Sequence, residues 1–136
     1  MADTLHCTIV TPERQALDEE VVYVSLPAWD GLQGIAPLRA PILVKLGDGV
    51  LRVDLPGGQS RSFFIAGGFA QMKDNWLSIL TSEAITPDEV NRQDIQASLK
   101  EAEARQASTT EEVEQRSRQI NRARALLSLG QQPARR

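Results

Sequence analysis

With 136 residues, a formal net charge of -3, 41% hydrophobic and 24% charged residues, the chain has the size of one compact domain, or of a small domain with an appendage, and the composition of a globular protein. Such a charge supplies no general basic field for a phosphate backbone, so nucleic acid is not an expected partner. The longest apolar runs, such as Phe63 to Phe69, contain glycines and fall well short of the ~20 residues that cross a bilayer, so no membrane insertion is expected.

The opening residues, MADTLHCTIV, carry Asp3 and lack the basic-then-apolar order of a secretory signal, which points to a cytoplasmic location. Cys7 is the sole cysteine. No internal disulfide or multi-cysteine metal site can form, and a buried inert thiol is expected. Short β-prone runs follow at Leu5 to Val10, Val21 to Leu26, Ile42 to Leu46, Val50 to Leu55, Ser62 to Ala66 and Trp76 to Leu80. Val22, Val24 and Leu26 alternate with polar positions, as one buried sheet face requires. Gly47-Asp48-Gly49, Pro56-Gly57-Gly58, Gly67-Gly68 and Lys73-Asp74-Asn75 read as turns between these strands. Asp18-Glu19-Glu20 reads as a solvated loop. The predicted architecture for residues 1–84 is an antiparallel β-sandwich.

Near Ala84 the pattern changes class, because residues 86–104 have no period of two and are rich in helix formers. Thr86-Pro87-Asp88-Glu89 combines a cap, a proline suited to the first helical position and a capping-box glutamate, so a helix is predicted to start near Pro87. Thr109 to Glu112 repeats the box for a second helix, and Gly130 offers a stop before Gln131-Gln132-Pro133. Residues 85–136 thus read as an antiparallel two-helix hairpin with a flexible C-terminal tail. Ile95, Leu99 and Ala102 line the first helix, and Val113, Ile120, Ala123 and Leu127 the second. Both stripes are too thin to offset an ordering cost of ~1–2 kcal/mol per residue, so the helices must lean on the sandwich or on a partner.

Catalytic constellations are missing from the pattern. His6, the only histidine, neighbours Cys7 on a strand, so the two side chains point to opposite faces and cannot act as base and nucleophile. No serine sits in a nucleophile elbow, and no glycine pair forms a phosphate cradle. Neither a cofactor nor a metal is expected. Physics alone leads to a sandwich with a helical hairpin whose role is interaction.

Four stretches, in order, carry a resemblance. Ile9-Val10-Thr11-Pro12-Glu13-Arg14 is similar to the opening strand and turn of the epsilon subunit of bacterial F-type ATP synthases, and Val24 to Pro41 resembles that family's Leu-Pro-Gly-x-x-Gly-Glu-x-Gly-Ile-x-Pro-Gly-His-Ala-Pro stretch. Phe64 to Ala70 resembles its Gly-Gly-Phe strand turn, and Leu77 to Ala84 the strand before its helices. The resemblance implies a non-catalytic rotor subunit of the central stalk, peripheral on the cytoplasmic side of the cell inner membrane. It would bind the gamma subunit and the membrane-embedded ring, and its helices would touch the catalytic head transiently and restrain ATP hydrolysis.

On that resemblance Trp29, Asp30, Leu32, Leu38 and Arg39 face the ring. Leu32, Leu38 and Arg39 replace the family's acidic residue, glycine and histidine, so the contact differs in chemistry. Trp29 suits either a core plug or an interface centre. Arg118 and Arg122, placed opposite the second stripe, are candidates to meet an acidic surface on the head, or else form a solvated face with Glu114 paired to Arg118. Some family members bind ATP through Ile or Leu, Asp, two residues, Arg and Ala. Here Gln96 and Leu99 lack the carboxylate and guanidinium, so ATP binding is not expected. The rival reading is a stand-alone sandwich recognition module with a helical oligomerisation arm, for which the few aromatics leave little stacking surface.

Overall fold

A computed structural model describes residues 3–130. The β-prone half forms eight strands: β1 (Leu5–Val10), β2 (Gln15–Val21), β3 (Tyr23–Ala28), β4 (Gly31–Ile35), β5 (Ile42–Asp54), β6 (Ser60–Lys73), β7 (Trp76–Leu80) and β8 (Ala84–Ile85). They follow the order β2-β1-β7-β6-β5-β3-β4, with β8 added to β6. The pairing is antiparallel throughout except for β1 with β7, which run parallel.

Gly47-Asp48-Gly49 and Gly67-Gly68, expected as turns, instead lie inside the long strands β5 and β6. What the glycines permit is a bend. In β5 the residues buried in the main core are Val44 and Leu46 before it and Leu51 and Val53 after it; in β6 they are Phe63 and Ile65, then Ala70 and Met72. A regular strand keeps one parity facing the core, so the exchange of odd for even in both strands means that the pair turns over as a unit. Gly67 and Gly68 adopt φ of 65° and 106° there, a region that side-chain-bearing residues avoid. The sheet thereby folds onto itself as a sandwich around one apolar core, from Leu5 and Ile9 through Leu26 and Leu51 to Met72 and Ile79. Arg61 in β6 donates to Glu19 in β2 at 2.5 Å and ties distant parts of the fold. Cys7 is buried as anticipated, and desolvation pushes its thiol up to about 12.

Asp18-Glu19-Glu20 is not a loop but the centre of edge strand β2. His6 on the adjacent strand β1 takes up the charges of Asp18 and Glu20, and Arg61 on the distant strand β6 takes up that of Glu19, which is why three consecutive acids tolerate a ladder.

The first capping box also behaves differently from expectation. Glu89 accepts from the Thr86 N–H and hydroxyl at 2.9 and 3.0 Å, but the box closes only a single 3-10 turn, Pro87–Glu89. Val90 and Asn91 are extended, and α1 (Arg92–Ala104) begins after them with Asn91 as its cap. The second box is as read: the Glu112 N–H donates to Thr109 Oγ1 and the Thr109 N–H to Glu112 Oε1, each at 3.1 Å, opening α2 (Thr110–Gly130). The residues after Gly130, including the expected flexible tail, lie outside the described residues.

The two helices pack side by side, and α2 rests on the outer face of β5 and β6. Its buried line runs through Ile120, Ala123, Leu126 and Leu129, whereas Val113 is exposed and Leu127 half-buried. Only the C-terminal part of α2 reaches the sheet, so the docking face follows Phe64 rather than the stripe drawn from Val113. Phe64, Leu126 and Leu129 form a second apolar cluster, flanked by Val50, Ile85, Val90 and Ile95.

Candidate docking surface

Strand β4 is an edge, and the residues expected to form one loop are strung along it. Trp29 and Asp30 form the turn at its start, Leu32 lies within it opposite Pro27, and Leu38 and Arg39 follow its end. Five residues of strand separate the two ends by ~16 Å. Tyr23 holds this edge in place: its ring covers Gly34 so closely that a β-carbon there would meet the phenol oxygen at 1.6 Å. The Trp29 N–H donates to the Lys45 carbonyl at 2.9 Å, and the Lys45 ammonium stands 5.6 Å from the Trp29 ring. Trp29 is therefore anchored by its backbone and presents its ring to solvent, so it is no core plug.

Leu38 has a positive φ of 63°. Its N–H donates to Asn75 Oδ1 at 2.8 Å, and the Asn75 amide donates to the Thr4 carbonyl at 2.7 Å. One asparagine thus fixes the loop against the β6–β7 turn. Arg39 folds back, donating to the Gly34 carbonyl at 2.9 Å. Trp29, Leu32, Leu38 and Leu43 are 69%, 76%, 68% and 68% exposed, an apolar display that marks an interaction site. Sequence reading passed over Leu43, Phe69, Leu80 and Asn75. Register aligns Lys45 with Phe69 and Phe69 with Leu80, all outward, so the apolar band runs from Trp29 across three strands. Alternation around buried Val44, Ala70 and Ile79 carried that signal.

On α2, Arg118 is exposed and makes no ion pair among the described residues. Arg122 faces the sandwich rather than away from it: its guanidinium donates to both Glu83 carboxylate oxygens at 3.2 and 2.8 Å and lies 4.9 Å from the Phe64 ring centre. Between α1 and α2 is a cleft of about 390 Å³ lined by Ile95, Ser98, Glu101, Arg105, Gln119 and Arg122. Arg105 donates to Gln119 and pairs with Glu101 there.

His6 sits on the outer face of β1, its Nδ1–H donating to Glu20 at 2.6 Å and its Nε2–H to Asp18. A neutral imidazole has one N–H, and two carboxylate acceptors call for both. Hydrogen bonding to Glu20 is the main cause that raises the His6 pKa, with burial opposing and Asp18 adding, while the same bond lowers that of Glu20. The ring also stacks on Trp76 at 4.1 Å. This arrangement staples an edge strand. Among the described residues no group of His, Cys, Asp and Glu could hold a metal ion.

A sandwich that shows an apolar band at one edge and carries a helical hairpin on its outer face defines a docking protein with a folded arm. Residues 4–87 match the family described as ATP synthase, Delta/Epsilon chain, beta-sandwich domain. The ATP synthase epsilon chain of Rhodopirellula baltica is 39% identical over 124 residues, covering 91% of this chain and 96% of that one; that of Carboxydothermus hydrogenoformans is 34% identical over 110 residues, 81% of each. The chain belongs to the bacterial ATP synthase epsilon chain family and is an accessory subunit of that complex. Its fold is shared with a chain in the Euglena gracilis mitochondrial ATP synthase OSCP/F1/c-ring structure, at a TM-score of 0.83 and 23% identity over 92% of this chain and 80% of that one. A chain of the Tetrahymena thermophila central stalk/c-ring structure gives 0.66 at 14% identity, over 94% and 97%.

Proposed function

We propose that the chain works in the central stalk, where its sandwich joins the gamma subunit to the membrane ring and has no active site of its own. The observation that carries this reading is the exposed apolar band from Trp29 and Leu32 to Leu38 and Leu43 on an otherwise well-packed sandwich. Trp29, Asp30, Leu32, Leu38 and Arg39 supply the ring-facing side. The assemblies in which chains of the same fold occur, F1 with a c-ring, support the choice of partners. The protein is then peripheral on the cytoplasmic face of the inner membrane; no helix among the described residues is long and apolar enough to cross one. A tagged chain isolated from membranes should bring down gamma and other synthase subunits. Recovery of the chain alone would defeat the rotor role and favour a free-standing recognition module.

In the same proposal residues 1–84 suffice for assembly and coupling, and residues 85–136 form an arm that leaves the sandwich to restrain ATP hydrolysis. The observation behind this is the small apolar cluster that docks the hairpin, with three buried residues, Phe64, Leu126 and Leu129, at its centre. Arg118 is free in the folded arm to meet an acidic surface, and Arg122 becomes free when the arm extends. A chain ending at Thr86 should assemble and support synthesis while hydrolysis rises. Loss of assembly, or hydrolysis unchanged from the full chain, would make the arm a structural support.

A further inference from the structure

We propose that the Arg122–Glu83 pair is the latch that keeps the hairpin folded, and that the arm pivots at Val90–Asn91 rather than at the sandwich boundary, with the turn Pro87–Glu89 staying on the sandwich. The inference rests on the arm reading above and assigns its moving parts.

Among the described residues Arg122–Glu83 is the only ion pair, and its hydrogen bonds the only ones, that join α1 or α2 to the sandwich. Arg105–Glu101 and Arg124–Glu103 lie within the hairpin and travel with it. Arg116 likewise donates to the carbonyls of Ala102 and Glu103, inside the hairpin. Beside the Arg122–Glu83 pair the helices meet the sandwich through the apolar cluster of Phe64, Leu126 and Leu129. Arg122 meets the sandwich twice, by a fork onto Glu83 and by its face onto Phe64, and a planar guanidinium suits both at once. Glu83, between β7 and β8, does not move with the arm. A fork holds one carboxylate at a time, so any acidic partner of the extended arm that binds Arg122 competes directly with Glu83.

The opposite end of the device is pinned. Arg14, in the turn after β1, donates to the Ala84 carbonyl at 2.8 Å and to Glu89 at 3.1 Å. Glu89 in turn accepts from Thr86. Beyond this knot Val90 and Asn91 have φ and ψ of -86°, 121° and -95°, 103°, ordinary extended values with room to rotate. The Asn91 side chain caps α1 by accepting from the Asp94 N–H at 3.2 Å, so it belongs to the arm. The Val90 N–H donates back to the Pro87 carbonyl at 3.3 Å and the Asn91 carbonyl accepts from the Ile95 N–H at 3.0 Å, so one residue is tied to the fixed turn and the next to the capped helix, and the link between them is where a hinge absorbs its change in dihedral angles.

Hydrogen exchange on the full-length chain tests both parts without ATP or partners, so the latch can fail while the regulatory reading stands, and the reverse. In Glu83→Gln and in Arg122→Gln, amides over residues 120–129 should exchange about threefold to tenfold faster, the range for a half-exposed charged pair. The double variant should be no faster than Arg122→Gln alone, which already removes both contacts of the guanidinium. The amides of Glu89 and of β1 and β7 should keep their protection. Wild-type chain in 1 M salt should move the same way, which gives a reading that needs no variant. Unchanged exchange over 120–129 in both variants and in salt, or additive effects in the double variant, would overturn the latch. Loss of protection at Glu89 together with α2 would overturn the pivot.

Discussion

The carbonyl oxygen of Leu80 stands 1.9 Å from the point that a β-carbon on Gly68 would occupy. Two backbones meet there, where β6 turns over beside the end of β7, and Gly68 also holds φ at 106°. Gly68→Ala therefore meets both conformational strain and a clash that no side-chain rotation relieves. Its cost should exceed ~3 kcal/mol in urea unfolding, above the ~1–3 kcal/mol of strain alone. Gly57→Ala separates the two effects, since Gly57 has φ of 94° and open space around it; its cost should stay near ~1–2 kcal/mol. Equal costs for the two would show that β6 and β7 can part there without penalty.

Leu32→Asp with Arg39→Glu should weaken assembly of the rotor while the sandwich stays folded. Both side chains are exposed, so the melt should shift by less than ~0.5 kcal/mol for the leucine change and only slightly more where Arg39 loses its bond to Gly34. Retention on membranes and coupling of ATP hydrolysis to ion pumping are the readouts. Full retention and full coupling would remove this edge from the ring contact.

Stability should depend on pH through His6. Its pKa is raised in the folded state, so its contribution is fully present below the ordinary histidine value of 6.5 and fades as pH rises through the higher folded value. Glu20 has the opposite sign: its lowered pKa adds stability above its ordinary 4.5 that is lost as pH falls through the lower folded value. Both act together between those ordinary values. Thermal melts from pH 5 to 9 should decline more steeply for the wild type than for His6→Gln, and Trp76 fluorescence should change over the same range, because the imidazolium lies on its ring. Parallel melting profiles for the two proteins would refute this.

ATP should not bind the isolated chain at millimolar concentration. In the cleft between α1 and α2 both arginines are engaged, Arg105 with Gln119 and Glu101 and Arg122 with Glu83, and the Glu101 carboxylate repels phosphate. Gln96 supplies no charge. Calorimetry that yields a millimolar or tighter constant would contradict the expectation.

Alternation and turn chemistry made β1, β7 and the second capping box legible, since each is decided by neighbours in the chain. The missed strands depend on distant ones. Nothing local shows that Asp18, Glu19 and Glu20 meet His6 and Arg61, and β4 is a glycine-bearing edge held by Tyr23. Glycine pairs announce positive φ without saying whether the chain reverses or bends, so Gly67-Gly68 looked like a turn. A stripe through Val113 and Leu127 puts Arg122 on the wrong side of α2, because Phe64, remote in the chain, selects Leu126 and Leu129. The resemblance, by contrast, rested on the order of short stretches and was independent of such pairings.

The turning over of β5 and β6 has a mechanical consequence. Because the same two strands serve both layers of the sandwich, the layers are not separate plates held by van der Waals contact, and one cannot slide over the other without shearing the ladder from Ile42 with Met72 to Asp54 with Ser60. A twisting load entering at one layer is passed to the other through covalent backbone and cross-strand hydrogen bonds. The sandwich is thereby braced as a stiff block.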